Sequence, residues 1–129
     1  MSYNVLVVDD SKIIRAVIKK TLTLAGVEVN ELHEAQNGKE ALDILKEKQV
    51  DLVFSDIHMP EMNGVEMIEQ MALDGVLRDI PVIVVSSEGS KERMGELLDK
   101  GARAYVRKPF TPELIRDLVQ ETMEASNGN

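Results

Sequence analysis

Residues Asp51 to Gly64 read DLVFSDIHMPEMNG, and this stretch decides the fold. Leu52, Val53 and Phe54 form a short apolar run of the kind that fills a strand covered on both faces. The run ends on Asp56, after which Pro60 and the pair Asn63-Gly64 break the chain into a loop. A carboxylate at the tip of a buried strand, opening onto a loop, stands on the rim where α/β sheets bind ligands. A lone Asp could also merely stop the strand or cap a turn. What the other strand ends carry decides between these readings.

Four more strand-like runs occur, at Val5–Val8, Leu32–Ala35, Val82–Val85 and Ala104–Val106, the second weakened by His33 and Glu34. Segments of helical period lie between them. Ile14, Val17, Ile18, Leu22 and Ala25 line one face, closed by Gly26 at a C-terminal cap. Ala41, Leu42 and Leu45 follow an Asn37-Gly38 turn, and Val65, Ile68, Met71 and Ala72 are stopped by Asp74-Gly75. A fourth helix spans 90–100. Thr111-Pro112-Glu113 starts the last, whose predicted buried stripe is Leu114, Ile115, Leu118, Val119 and Thr122. Strict strand–helix alternation predicts an α/β fold, a five-stranded parallel sheet with helices on both faces and right-handed crossovers. Alternation alone leaves the strand order open.

All strand ends of a parallel sheet face one rim. There the first strand delivers Asp9 and Asp10, the third Asp56, the fourth Ser86 and the fifth Lys108, while the second ends uncharged at Gln36-Asn37-Gly38. Singly, the aspartates could cap a helix, Ser86 could begin a turn and Lys108 could be solvated. Together they describe a site.

Charge and composition narrow its chemistry. At 129 residues the chain makes one domain, with an aliphatic core because there are two Tyr, two Phe and no Trp. A formal charge of −8 argues against nucleic acid and against an anionic membrane surface as partners. With no Cys, disulfides, thiolate metal sites and thiol catalysis are excluded. Neither a signal peptide nor a membrane span is visible, so a cytoplasmic location is expected.

Two like charges about 4 Å apart repel by about 4 kcal/mol at an effective dielectric near 20. Three carboxylates meeting on one rim therefore need either protons or a cation. An oxygen-only ligand set suits Mg2+, with Mn2+ an alternative; His58 alone beside carboxylates is a weak signal for zinc. An Asp beside such a cation, flanked by an ammonium and a hydroxyl, is arranged for phosphoryl transfer: Asp56 as nucleophile, Lys108 and the cation on the phosphoryl oxygens, Ser86 donating a hydrogen bond.

The motifs Asp9-Asp10 after VLVV, the SDIHMPEMNG run around Asp56, Ser86, and Lys108-Pro109-Phe110 resemble the receiver domain of two-component response regulators, and most of all its free-standing chemotaxis members, the CheY type. That resemblance implies a flavodoxin-like (βα)5 fold of order 2-1-3-4-5, for which CheY is a standard instance. It implies a receiver domain over 1–125 with a flexible tail at 126–129. It implies Asp56 as the acceptor of a phosphoryl group from a histidine kinase, and Mg2+ held by Asp10, Asp56 and the backbone carbonyl of His58, with Asp9 assisting. Ser86 and Tyr105 become a coupled switch pair, Lys108 a phosphate contact, and the Lys108–Pro109 bond cis. His58 and Glu88 occupy positions that tune hydrolysis. The chain would catalyse only its own phosphorylation and dephosphorylation, and would not otherwise be an enzyme.

No output domain is visible after the last helix, so the message is expected to leave through a surface. Residues 91–108 carry six basic side chains against three acidic ones. Lys91, Tyr105 and Arg107 are the expected contact residues for an acidic partner segment, such as a flagellar motor switch peptide, met by a monomer. Three other readings compete. A phosphorelay intermediate would pass the group on to another histidine. A Mg2+-dependent phosphatase of the haloacid dehalogenase type would need an Asp where His58 stands. A flavin binder would need a hydroxyl- and glycine-rich first loop where Asp9 and Asp10 stand.

Overall fold

In the computed structural model, which describes residues 2–87 and 91–126, the first strand, β1 (Tyr3–Val8), is an interior strand of a five-stranded sheet, paired along both edges. Its residues Val5 to Val8 are all 0 % exposed, as a strand covered on both faces requires. The chain continues through α1 (Lys12–Leu24), β2 (Val29–Ala35), α2 (Gly38–Glu47), β3 (Leu52–Ser55), α3 (Gly64–Leu73), a 3-10 turn at Leu77–Asp79, β4 (Val82–Ser86), α4 (Lys91–Lys100), β5 (Ala104–Arg107) and α5 (Pro112–Ser126). All strand pairs are parallel and the order is 2-1-3-4-5, with the weakly patterned β2 at one edge.

Alternation along each strand divides the core in two. Val5, Val7, Leu52 and Phe54 point toward α1 and α5, where Ile18, Leu22, Ile115 and Val119 cover them. Leu6, Val8, Val53 and Val84 point the other way, under Leu45, Met67, Ile68 and Leu97 of α2, α3 and α4. The buried helical stripes depart in part from the expected ones. Val17 is 47 % and Leu114 43 % exposed, and Ala72 is exposed while Met67, outside the expected stripe, is fully buried. A helix lying on a sheet buries a narrower stripe than the full width of its apolar residues.

Local chemistry fixes the helix ends. Gly26 adopts φ 76°, and its N–H bonds to the Thr23 carbonyl while Val27 N–H bonds to that of Leu22, a Schellman closure of α1. Asn63 and Glu66 form a reciprocal capping box that starts α3, and the Thr111 hydroxyl accepts from Leu114 N–H at the start of α5. The tail expected from residue 126 falls outside the described residues except for Ser126, which ends α5.

Candidate functional site: an acidic pocket at the strand ends

Register builds the site. Val8 pairs with Ser55, so the next residues, Asp9 and Asp56, emerge side by side from adjacent strands. Asp56 N–H donates to the Val8 carbonyl at 3.0 Å. Ser86 pairs with Arg107, and Lys108 N–H donates to the Ser86 carbonyl at 2.8 Å, which brings the Lys108 side chain to the same rim. The Lys108–Pro109 peptide is cis.

Carboxylate oxygens of Asp9, Asp10 and Asp56 lie within 4.8 Å of one another. Lys108 Nζ stands 3.7 Å from Asp9 Oδ2 and 4.0 Å from Asp56 Oδ2. One ammonium against three carboxylates leaves an excess of negative charge. Asp9 is buried, at 2 % exposure, and its Oδ1 accepts from Ser11 N–H at 2.9 Å. Its Oδ2 is buried with no hydrogen-bond partner among the described residues. Burial raises the Asp9 carboxyl above its usual range, and Asp56 and Asp10 add to this against the opposing Ser11 bond and Lys108. An orphaned buried carboxylate oxygen beside two more carboxylates fits a hard divalent cation such as Mg2+.

Asp56 itself is half-buried, and its Oδ1 accepts from Ile57 N–H at 2.7 Å, leaving Oδ2 toward Lys108. Its main chain is gripped from two further directions. Ser55 Oγ donates to the Asp56 carbonyl at 2.8 Å, and a Cβ added to Gly64 would overlap that same carbonyl. Only glycine lets α3 begin so close to the Asp56 backbone.

Asp9 and Asp10 do not cap α1; Ser11 does, accepting from Ile14 N–H. His58 is exposed on the loop after β3. Ser86 is 2 % exposed and lies on the same face of the sheet as Tyr105, which is half-buried and pairs in register with Val84, two residues before Ser86. Lys91 and Arg107 are exposed, whereas Arg93 pairs with Glu96 and Lys100 with Glu69. Glu88 lies outside the described residues.

Sequence reasoning also missed Arg15 and Glu34. Arg15 Nη1 donates to the Asp9 carbonyl at 2.7 Å, and its Nε donates to Glu34 Oε1 at 2.9 Å. Neither residue belongs to a chemical motif, and only the Arg side chain's burial inside the fold exposes the link.

The response regulator receiver domain model matches residues 5–120. The chain belongs to this family. Receivers of similar sequence include a chemotaxis protein CheY homologue of Campylobacter jejuni, 37 % identical over 95 % of this chain and 94 % of that protein. CheY of Thermotoga maritima is 39 % identical over 89 % and 92 %. Among solved structures, the receiver superposes on CheY4 of Vibrio cholerae with a TM-score of 0.82 at 32 % identity, covering 95 % of this chain and 99 % of that one. A CheY-like receiver of Methanospirillum hungatei gives 0.84 at 26 % identity, covering 99 % and 98 %. Receiver domains are signalling proteins that bind Mg2+ at an acidic pocket, and the Asp9, Asp10 and Asp56 cluster could hold a metal ion here. No helix among the described residues is long and apolar enough to cross a membrane.

Proposed function

We propose that this receiver accepts a phosphoryl group on Asp56 from a phosphohistidine of a histidine kinase and so switches a partner-binding surface, in chemotaxis. The observation that supports it most is the convergence of three carboxylates and one ammonium on the rim, with Asp56 Oδ2 at 4.0 Å from Lys108 Nζ. The chemotaxis assignment follows the names of the CheY relatives.

Asp56 Oδ2 attacks phosphorus in line, forming an O–P bond as the P–N bond to imidazole breaks; the departing imidazole keeps the electron pair and takes a proton from solvent. Lys108 draws off charge from the phosphoryl oxygens as they rotate into the plane of the transition state. Bound Mg2+, held by Asp9, Asp10, Asp56 and the His58 carbonyl, would supply further positive charge to those oxygens. Asp9 stays fixed by its Ser11 bond and keeps Oδ2 on the cation side. Hydrolysis returns the free carboxylate, with His58 and Glu88 as the residues that tune its rate.

The acyl phosphate adds charge of about −2 and three acceptor oxygens to a rim already negative. Ser86 then donates to a phosphoryl oxygen, and Tyr105 on the same face turns inward. The surface of Lys91, Tyr105 and Arg107 gains affinity for an acidic segment of a downstream protein, such as a flagellar switch component. A coupling of about 1–3 kcal/mol suffices for a graded signal. The protein works as a cytoplasmic monomer, with no nucleic acid or membrane as partner.

Beryllofluoride tests the reading, because BeF3− takes the place of the phosphoryl group on an aspartate. Fluorine NMR should show a Mg2+-dependent bound signal that Asp56→Asn abolishes. A bound signal that survives Asp56→Asn refutes the assignment.

A further inference from the structure

Arg15 is spent inside the fold: its side chain is 11 % exposed, and its guanidinium bridges the Asp9 carbonyl and Glu34. Glu34 immediately precedes Ala35, whose carbonyl accepts the Asp9 amide at 3.0 Å. The end of β2 thus holds Asp9 twice, directly through Ala35 and at one remove through Glu34 and Arg15. With Oδ1 taken by Ser11 N–H, the atom of Asp9 left over is Oδ2, the one nearest Lys108.

We propose that Arg15 is a positioning residue for the acidic pocket and that Glu34 holds it in place, so that edge strand β2, which sends no charge to the rim, still sets the pocket's geometry. The proposal rests on the receiver reading, because the pocket's cation is what the positioning serves. Three carboxylates without a cation push one another apart. An Asp9 backbone fixed on both sides resists that spreading, so the cation meets a preformed ligand set and spends less of its binding energy on ordering the loop. A guanidinium is suited to this bridge because its planar fork serves a carbonyl and a carboxylate at once, where an ammonium is a single point. Glu34 also neutralises Arg15, which otherwise would repel a divalent cation bound beside Asp9.

The test compares the Mg2+ affinity of wild type, Arg15→Met, Glu34→Ala and the double variant by calorimetry, with hydrogen exchange at the Ser11 amide followed in Mg2+-free protein. Arg116→Met, which removes an exposed ion pair with Asp117, serves as control. Arg15→Met should weaken Mg2+ binding by about tenfold and speed Ser11 exchange. Glu34→Ala should move both readouts the same way by less, and the double variant should match Arg15→Met, because Glu34 acts through Arg15. Arg15→Lys should recover only part of the loss, and Arg116→Met should change nothing. Wild-type affinity in Arg15→Met, or single losses that add in the double variant, would overturn the proposal. Should Arg15→Met fail to fold, unchanged affinity in Glu34→Ala overturns it instead. A wild type that takes up no Mg2+ refutes the receiver reading itself, a distinguishable result.

Discussion

Asp9 and Asp56 stand side by side because Val8 and Ser55, the residues just before them, are register partners on neighbouring strands. A slip of one residue would turn one of the two carboxylates to the opposite face. The site is therefore a product of the sheet, and its consequences can be measured as stability.

The first consequence concerns pH. Burial foremost, with Asp56 and Asp10, raises the Asp9 carboxyl. The folded state keeps a proton that the unfolded chain releases at about pH 3.9. Stability from this group is thus full below that value and is lost as pH rises through the raised folded one. Mg2+-free protein should weaken across that window. Asp9→Asn should remove the dependence and stabilise the protein near neutral pH by about 1 kcal/mol, read by urea unfolding in EDTA.

Lys108 has a double effect. Lys108→Met removes a cation 3.7 Å from Asp9 and 4.0 Å from Asp56. Mg2+ should bind more tightly, since a competing charge is gone, while phosphorylation by acetyl phosphate should slow by about 10²-fold. Calorimetry and a mass-spectrometric time course separate the two.

Gly64 packs tightly against the Asp56 main chain. A methyl group there meets the Asp56 carbonyl and Ile57 Cα. Gly64→Ala should cost about 1–3 kcal/mol in chemical denaturation and shift the Ile57 amide resonance, because Ile57 N–H is bonded to Asp56 Oδ1.

Charge reversal tests the proposed output surface. Lys91 is exposed on the first turn of α4. Lys91→Glu should weaken an acidic partner peptide by about fivefold and flatten the salt dependence of binding, most clearly in the beryllofluoride state. Equal affinity and equal salt dependence in wild type and variant would remove Lys91 from the surface.

How much of this was legible in the sequence follows from what each residue must satisfy. The runs at Val5–Val8, Leu52–Phe54 and Val82–Val85 show because strands covered on both faces have no polar alternation to hide them. β2 begins at Val29 rather than Leu32, since an edge strand exposes residues such as Asn30 and Glu31 and loses that signature. Strand order came from resemblance, because strand–helix alternation is common to many orders. Asp9, Asp10, Asp56 and Lys108 were legible as strand-end residues, and the structure brings them together. Ser55 and Gly64 were not, because their contribution is a hydroxyl on a carbonyl and the absence of a methyl. Arg15 and Glu34 join α1 to β2 across 19 residues, a pairing that no local pattern announces.

The most direct measurement is the intact mass of the protein after incubation with acetyl phosphate and Mg2+. Addition of a single phosphoryl group is expected, with borohydride trapping at Asp56 and no addition in EDTA or in Asp56→Asn. An unmodified wild type, or equal modification of Asp56→Asn, would contradict this expectation.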